Sequence, residues 1–257
     1  MKLFLSHCFT SSMMFLFAVL FLTACDKEYT SWDLPRKNPA DTLDNASDVN
    51  VAVANFVSSA VSVPLGTAVD FVSVSLYNPT SFNWSFEGGN PVSSTNMSQN
   101  VVYNTIGKYD VGLTVENEFG RDSITKTDFI ESYFYKSFAN NAWDGWSNNG
   151  WTFSTSNTCT DCIYAWQNTS NNPQSYTITK SFSNVPSGAT LEFYYNIYSP
   201  AGTLKVKSNS TQIWSTSGYG SSTASVSLPV SGSFTLTFEA LVGNTNSIYL
   251  NDIKIRP

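Results

Sequence analysis

The sequence predicts an all-β protein built as two β-sandwiches in series. Three observations carry that expectation. Short alternating strand signals recur from Val49 onward, separated by clusters of Gly, Pro and Asn. No stretch in that span keeps the 3.6-residue apolar period of a helix. Charged residues make up only 12%, aromatic residues reach 15%, and Ser, Thr and Asn are abundant. That profile belongs to exported β-proteins with aromatic surfaces.

The first elements lie outside the fold. Lys2 supplies a positive charge, and 13-MMFLFAVLFL-22 is an apolar run shorter than the ~20 residues of a membrane span. Together they predict a signal peptide over residues 1–24. Small Thr23 and Ala24 precede Cys25, and 22-LTAC-25 resembles the lipobox of bacterial lipoproteins. The resemblance implies cleavage before Cys25, a diacylglycerol on its thiol, and a membrane as partner through that anchor. Residues 25–48 are polar, contain Pro35 and Pro39, and read as a flexible tether. Asp26 and Glu28 resemble the surface-export signal of some Gram-negative lipoproteins. The expected location is therefore the cell envelope, on an outer membrane and at the cell surface.

Charge and composition exclude several function classes. The formal net charge is −6 and no basic patch is visible, which argues against nucleic acid. The one histidine is His7, inside the signal. The mature chain thus lacks Ser-His-Asp and Cys-His catalysis and all His metal ligands. With no recognisable catalytic motif, the expectation is a non-enzyme that needs no cofactor.

The first domain is expected over 49–132. Val49 to Phe56 alternates, as does 69-VDFVSVSLY-77; then come 82-FNWSF-86, 101-VVY-103, 109-YDVGLTVEN-117 and 124-ITKTDFIES-132. Strands of this length, with turns every eight to twelve residues, predict an Ig-like sandwich. The ordered series Gly66, Trp84-Ser85-Phe86-Glu87-Gly88-Gly89, Tyr103, Gly107, Tyr109-Asp110-Val111 and Asn117 resembles the PKD domain of extracellular proteins. That family usually carries Trp-Asp-Phe-Gly-Asp-Gly where this chain has 84-WSFEGG-89. The resemblance implies a spacer or interaction module. Trp84 and Phe86 share parity and are expected in the core. Gly88 and Gly89 can take the positive φ of a strand exit, and Glu87 reads as solvated.

The second domain is expected over 133–257, with strand signals from 133-YFYKSF-138 through 190-TLEFYYNIY-198 to 247-SIYLNDIKI-255. Its opening 143-WDGWSNNGW-151 and closing 248-IYLNDIKI-255 resemble those of carbohydrate-binding-module-like and MAM-like jelly rolls. The resemblance implies an extracellular binding head, with the first domain as its spacer.

Sugar recognition needs flat aromatic faces and amides or hydroxyls around them. Trp166 and Trp214 each close an apolar strand before a polar loop, and Tyr219 stands between Gly218 and Gly220. With Tyr164 they are the candidate ligand residues, the alternative being that each ring fills the core. The jelly-roll resemblance also implies a structural Ca²⁺ held by Asp252, with Asp144 as a candidate second ligand beside it; the other reading is an Asp at the sheet edge. Cys159 and Cys162 form 159-CTDC-162, for which an oxidising envelope favours a disulfide over free thiols or redox chemistry. Glycan is the first partner expected and another surface protein the second. A third reading, a glycosidase, would need two carboxylates such as Glu192 and Glu239 to meet across one sheet. Finally, 41-DTL-43 and 122-DSI-124 resemble an O-glycosylation sequon of some envelope proteins.

Overall fold

The protein is described by a computed structural model covering residues 51–154, 159, 161–167, 173–243 and 246–257, all within one compact unit. The signal over 1–24, Cys25, the tether to residue 48 and 41-DTL-43 lie outside the described residues. The chain is all-β: an Ig-like sandwich is followed by a jelly-roll sandwich, and no helix occurs among the described residues.

In the first sandwich one sheet orders Phe56–Ser58, Ala68–Ser73, Ser98–Tyr103 and Gly89–Asn90. The facing sheet holds Ser81–Phe86, Gly107–Asn117 and Gly120–Lys136, with Ser93–Ser94 on its edge. The alternation expected of Trp84 and Phe86 is what the strand shows: both are buried. They stack at 5.4 Å, and Phe71 packs on Phe86 at 5.0 Å. The Trp84 indole N–H donates to the Asn96 carbonyl at 2.8 Å, so its polar tip is not left unsatisfied.

The turn after Phe86 is built from backbone constraints. Gly88 has φ +62, and a Cβ there would lie 2.2 Å from the Tyr109 ring, so no side chain fits. Glu87 is exposed and latches the turn. Its backbone N–H donates to the Asp110 carbonyl at 3.2 Å, and its Oε2 accepts from the Asp110 N–H at 3.1 Å.

The second sandwich faces two five-stranded layers. One orders Ser147–Asn149, Gln174–Val185, Gly232–Val242, Thr203–Ser208 and Thr211–Ser217. The other holds Thr152–Phe153, Ile163–Gln167, Asn246–Arg256, Thr190–Tyr198 and Gly220–Ser227. Alternate residues from both layers meet inside: Ile178, Leu204, Phe238 and Ala240 from the first, and Ala165, Phe193, Ile197 and Leu250 from the second. Phe193 meets Phe238 edge to face at 5.0 Å, which fixes how the layers interdigitate.

No linker separates the sandwiches. The strand Gly120–Lys136 is 17 residues long and serves both. Its segment to Ser132 pairs with Gly107–Asn117, and Phe134–Lys136 pairs with Ile253–Ile255. The sequence explains the continuity: 129-FIESYFYK-136 contains no Gly, Pro or Asn to end a strand. Ser62–Pro64 adds a parallel pairing to Glu131–Tyr133. From the first sandwich, Ile106 is buried in the second core and Leu65 packs against it. Arg256 closes the junction. It pairs with Glu131 at 2.6 Å and with Glu192 at 3.5 Å, and it lies 4.3 Å from the centre of the Tyr133 ring. Replacing it by alanine (Arg256→Ala) is expected to lower stability by about 1 kcal/mol, since the pair is partly screened. A fall in urea midpoint at constant m-value checks this.

Candidate ligand-binding face

The outside of one jelly-roll layer carries an aromatic surface. In Ile163–Gln167 the pattern is strict: Ile163 and Ala165 are buried, Tyr164 and Trp166 point outward. In Thr190–Tyr198, Leu191, Phe193 and Ile197 fill the core, so Glu192, Tyr194, Asn196 and Tyr198 share the outer parity. Between these strands lies Asn246–Arg256, with Ile248 and Leu250 inward and Tyr249 outward. Register then assembles the surface. Tyr164 is the cross-strand partner of Tyr249, which is the partner of Asn196. In the next row Trp166 pairs with Ser247, which pairs with Tyr198.

The rings make contact. Tyr164 stacks on Tyr249 with centroids 5.6 Å apart, and Tyr198 meets Tyr249 edge-on at 5.6 Å. Trp166 is 49% exposed and Tyr198 43%, so neither is satisfied by the core. Trp166 is held from behind, where the Tyr176 hydroxyl donates to its carbonyl at 3.2 Å. Cys159, Tyr194, Asn196, Tyr198 and Tyr249 line a cleft of only about 20 Å³. Ligand pockets that enclose a small molecule are of ~300 Å³ or more. The arrangement therefore offers a platform, suited to a ligand that lies across it. Ser221, Thr223 and Ser225 continue the same side on Gly220–Ser227, through their pairing with Asn196, Tyr194 and Glu192.

The candidate residues divide in two. Tyr164 and Trp166 belong to this face. Tyr219 is 71% exposed and stands in the turn before Gly220, whose partner Ile197 precedes Tyr198, at the same end of the face. Trp214 lies elsewhere: it is half-buried between the layers, 5.1 Å from Phe193 edge-on and 5.3 Å from Tyr195. A bulge opposite Val206 and Lys207 turns it inward, since Val206 is buried and pairs with Trp214. Tyr194, Asn196, Tyr198 and Tyr249 were not among the sequence candidates. Their signal was the period of two in 190-TLEFYYNIY-198, which puts Tyr194, Asn196 and Tyr198 opposite Phe193 and Ile197. Of the polar loop that follows Trp166, residues 168–172 lie outside the described residues.

The other candidates are engaged in local structure. Cys159 and Cys162 are joined in a disulfide with Cα atoms 5.6 Å apart, a usual separation. Asp144 Oδ2 pairs with the Lys136 ammonium at 2.5 Å; that side chain is only 5% exposed. The hydrogen bond from Lys136 holds the Asp144 carboxyl below the usual carboxylate range. Asp252 Oδ1 accepts from the Tyr135 hydroxyl at 2.7 Å, which, with burial, pushes that phenol up to about 12. Tyr135 is on the outer side of its strand and Lys136 on the inner, so the two aspartates serve opposite sides. No group of three or more His, Cys, Asp or Glu is gathered among the described residues.

Glu192 and Glu239 do not meet either. Glu192 is on the aromatic layer beside Arg256. Glu239 is on the other layer, paired with Lys207 and, at 3.9 Å, with Lys205, and the Lys207 hydrogen bond keeps it below the usual carboxylate range. The carboxylate pair of the glycosidase reading is not formed by these residues.

Asp144 also sets a pH dependence. Its folded pKa lies below its unfolded one, so its contribution is present above the unfolded value of ~3.9 and is lost as pH falls through the folded value. Asp144→Asn leaves Lys136 buried without its carboxylate. It is expected to cost about 1 kcal/mol at neutral pH, discounted for the exposure of Asp144. Urea midpoints of the two proteins should converge as the pH is lowered below about 4.

No curated protein sequence matches the chain. A carbohydrate-binding module of the β-sandwich superfamily is similar over 80% of this chain and 98% of its own, at 16% identity and a TM-score of 0.38. A cleaved adhesin domain of Lys-gingipain from Porphyromonas gingivalis is similar over 48% of this chain and 97% of its own, at 15% identity and a TM-score of 0.39. A carbohydrate-binding module solved with β-1,4-galactotriose is similar over 46% and 92%, at 11% identity and a TM-score of 0.36. Residues 53–128 match the PKD domain family, and that part of the chain forms an Ig-like sandwich that runs directly into a jelly-roll sandwich.

Proposed function

We propose that this is a non-catalytic glycan-binding protein of the cell envelope, anchored through Cys25 and displayed at the cell surface. One observation carries the binding reading: exposed Trp166 and Tyr198 and half-buried Tyr164 and Tyr249 lie on one aromatic face with an amide and hydroxyls at its edge. Aromatic faces receive the C–H side of a pyranose, and Asn196, Ser221 and Thr223 can exchange hydrogen bonds with its hydroxyls. The outward positions from Tyr164 across to Thr223 carry no charge, which fits a neutral glycan. No covalent step is needed. The anchoring reading rests on 22-LTAC-25 and the polar stretch after it.

A protein-binding, adhesive role is the second reading. It draws on Val57 and Val72, cross-strand partners on the outside of the first sandwich that are both exposed.

Affinity electrophoresis in gels containing xylan, β-1,4-galactan or glucomannan tests the first reading. At least one polysaccharide should retard the protein, and Trp166→Ala and Tyr198→Ala should each weaken that retardation about ten-fold. Thermal midpoints should move little, because both side chains are half exposed. Absence of retardation in all three gels, or unchanged retardation in both variants, refutes the glycan face.

A further inference from the structure

We propose that the ligand face crosses from the jelly roll onto the shared strand, ending at Tyr135 and Lys254, so that one long glycan chain is held by both. The inference rests on the glycan reading above and extends it to the length of chain recognised.

The carrier is the strand Asn246–Arg256. Its first half lies between Ile163–Gln167 and Thr190–Tyr198, and Ile253–Ile255 then pairs with Phe134–Lys136. Strict alternation would carry Asp252 and Lys254 inward, on the side of Leu250. A bulge opposite Glu192 and Tyr194 inserts one residue, and Asp252 there takes φ 53. The inserted residue restores parity. Ile253 and Ile255 stay in the core, and Lys254 emerges on the same side as Tyr249.

Beyond the bulge the surface is built in the same way. Tyr135 is the cross-strand partner of Lys254 and is 39% exposed. Its ring is held from two sides: the hydroxyl donates to Asp252 at 2.7 Å, and the Lys254 ammonium lies 5.5 Å from the ring centre. Ser247 to Lys254 spans roughly 23 Å at the usual strand rise. A trisaccharide stacked on Trp166 and Tyr249 stops short of the bulge; a chain of eight sugars passes over it. Tyr135 supplies a further stacking ring there, and Lys254 supplies N–H donors to hydroxyls.

The test uses the full mature chain and linear oligosaccharides cut from whichever of xylan, β-1,4-galactan or glucomannan retards it. Calorimetric titration gives affinities for the trisaccharide and the octasaccharide. Tyr135→Ala and Lys254→Ala are expected to lower the ratio of octasaccharide to trisaccharide affinity, by about five-fold for Tyr135→Ala. Trp166→Ala should weaken both lengths. If the ratio is unchanged in Tyr135→Ala and Lys254→Ala while Trp166→Ala weakens both lengths, the extension is wrong and the glycan reading stands. If none of the three polysaccharides or their oligosaccharides binds the unaltered chain, both fall.

Discussion

One backbone constraint organises the molecule: the strand Gly120–Lys136 is a member of two hydrophobic cores at once. A strand can serve two cores only if its alternation suits both. Ile130 is buried in the first core, and Phe134 packs on the second. A slip of one residue would turn both the wrong way. The close of the strand adds a polar condition. Lys136 is buried beside Phe138 and needs Asp144 from the next loop, so the end of the shared strand and the start of the jelly roll are fixed together. Arg256, bonded to Glu131 and Glu192, ties the same strand to the far side of the sheet.

Much of this was legible in the sequence because strand parity is local. Trp84 and Phe86 could be placed in a core from two alternate positions, and the turn after them from Gly88; Gly89, expected to turn as well, instead starts a strand paired with Tyr103 and has no positive φ. Tyr164 and Trp166 could be marked by chemistry. What the sequence could not carry was register between distant strands. Tyr249 joins Tyr164 and Tyr198 only because Ile163–Gln167 and Thr190–Tyr198 both pair with Asn246–Arg256. Bulges hide as well. Trp214 and Trp166 look alike in sequence, each closing an apolar run before a polar residue. A one-residue bulge at Val206 sends Trp214 inward, while the unbulged Ile163–Gln167 leaves Trp166 outside. Asp252 was marked as a metal ligand candidate for its place in the last strand, and it proves to be the residue on which that strand changes phase.

Placing the aromatic face outside a well-filled layer also separates the stability of the fold from the identity of the outer rings. Ile163, Ala165, Leu250, Phe193 and Ile197 hold the layer from within. Tyr164, Tyr249 and Tyr198 can vary on the other side at small cost to the fold.

The absence of a hinge between the sandwiches has an entropic meaning. Domains joined by a loose linker reorient freely, and a ligand that touches both must freeze that motion when it binds. Here Gly120–Lys136 passes from one sandwich to the other without interruption, and Ile106 and Leu65 are already packed across the boundary. The relative orientation is settled during folding, so a ligand lying over the boundary meets a preorganised surface and loses none of its affinity to domain ordering.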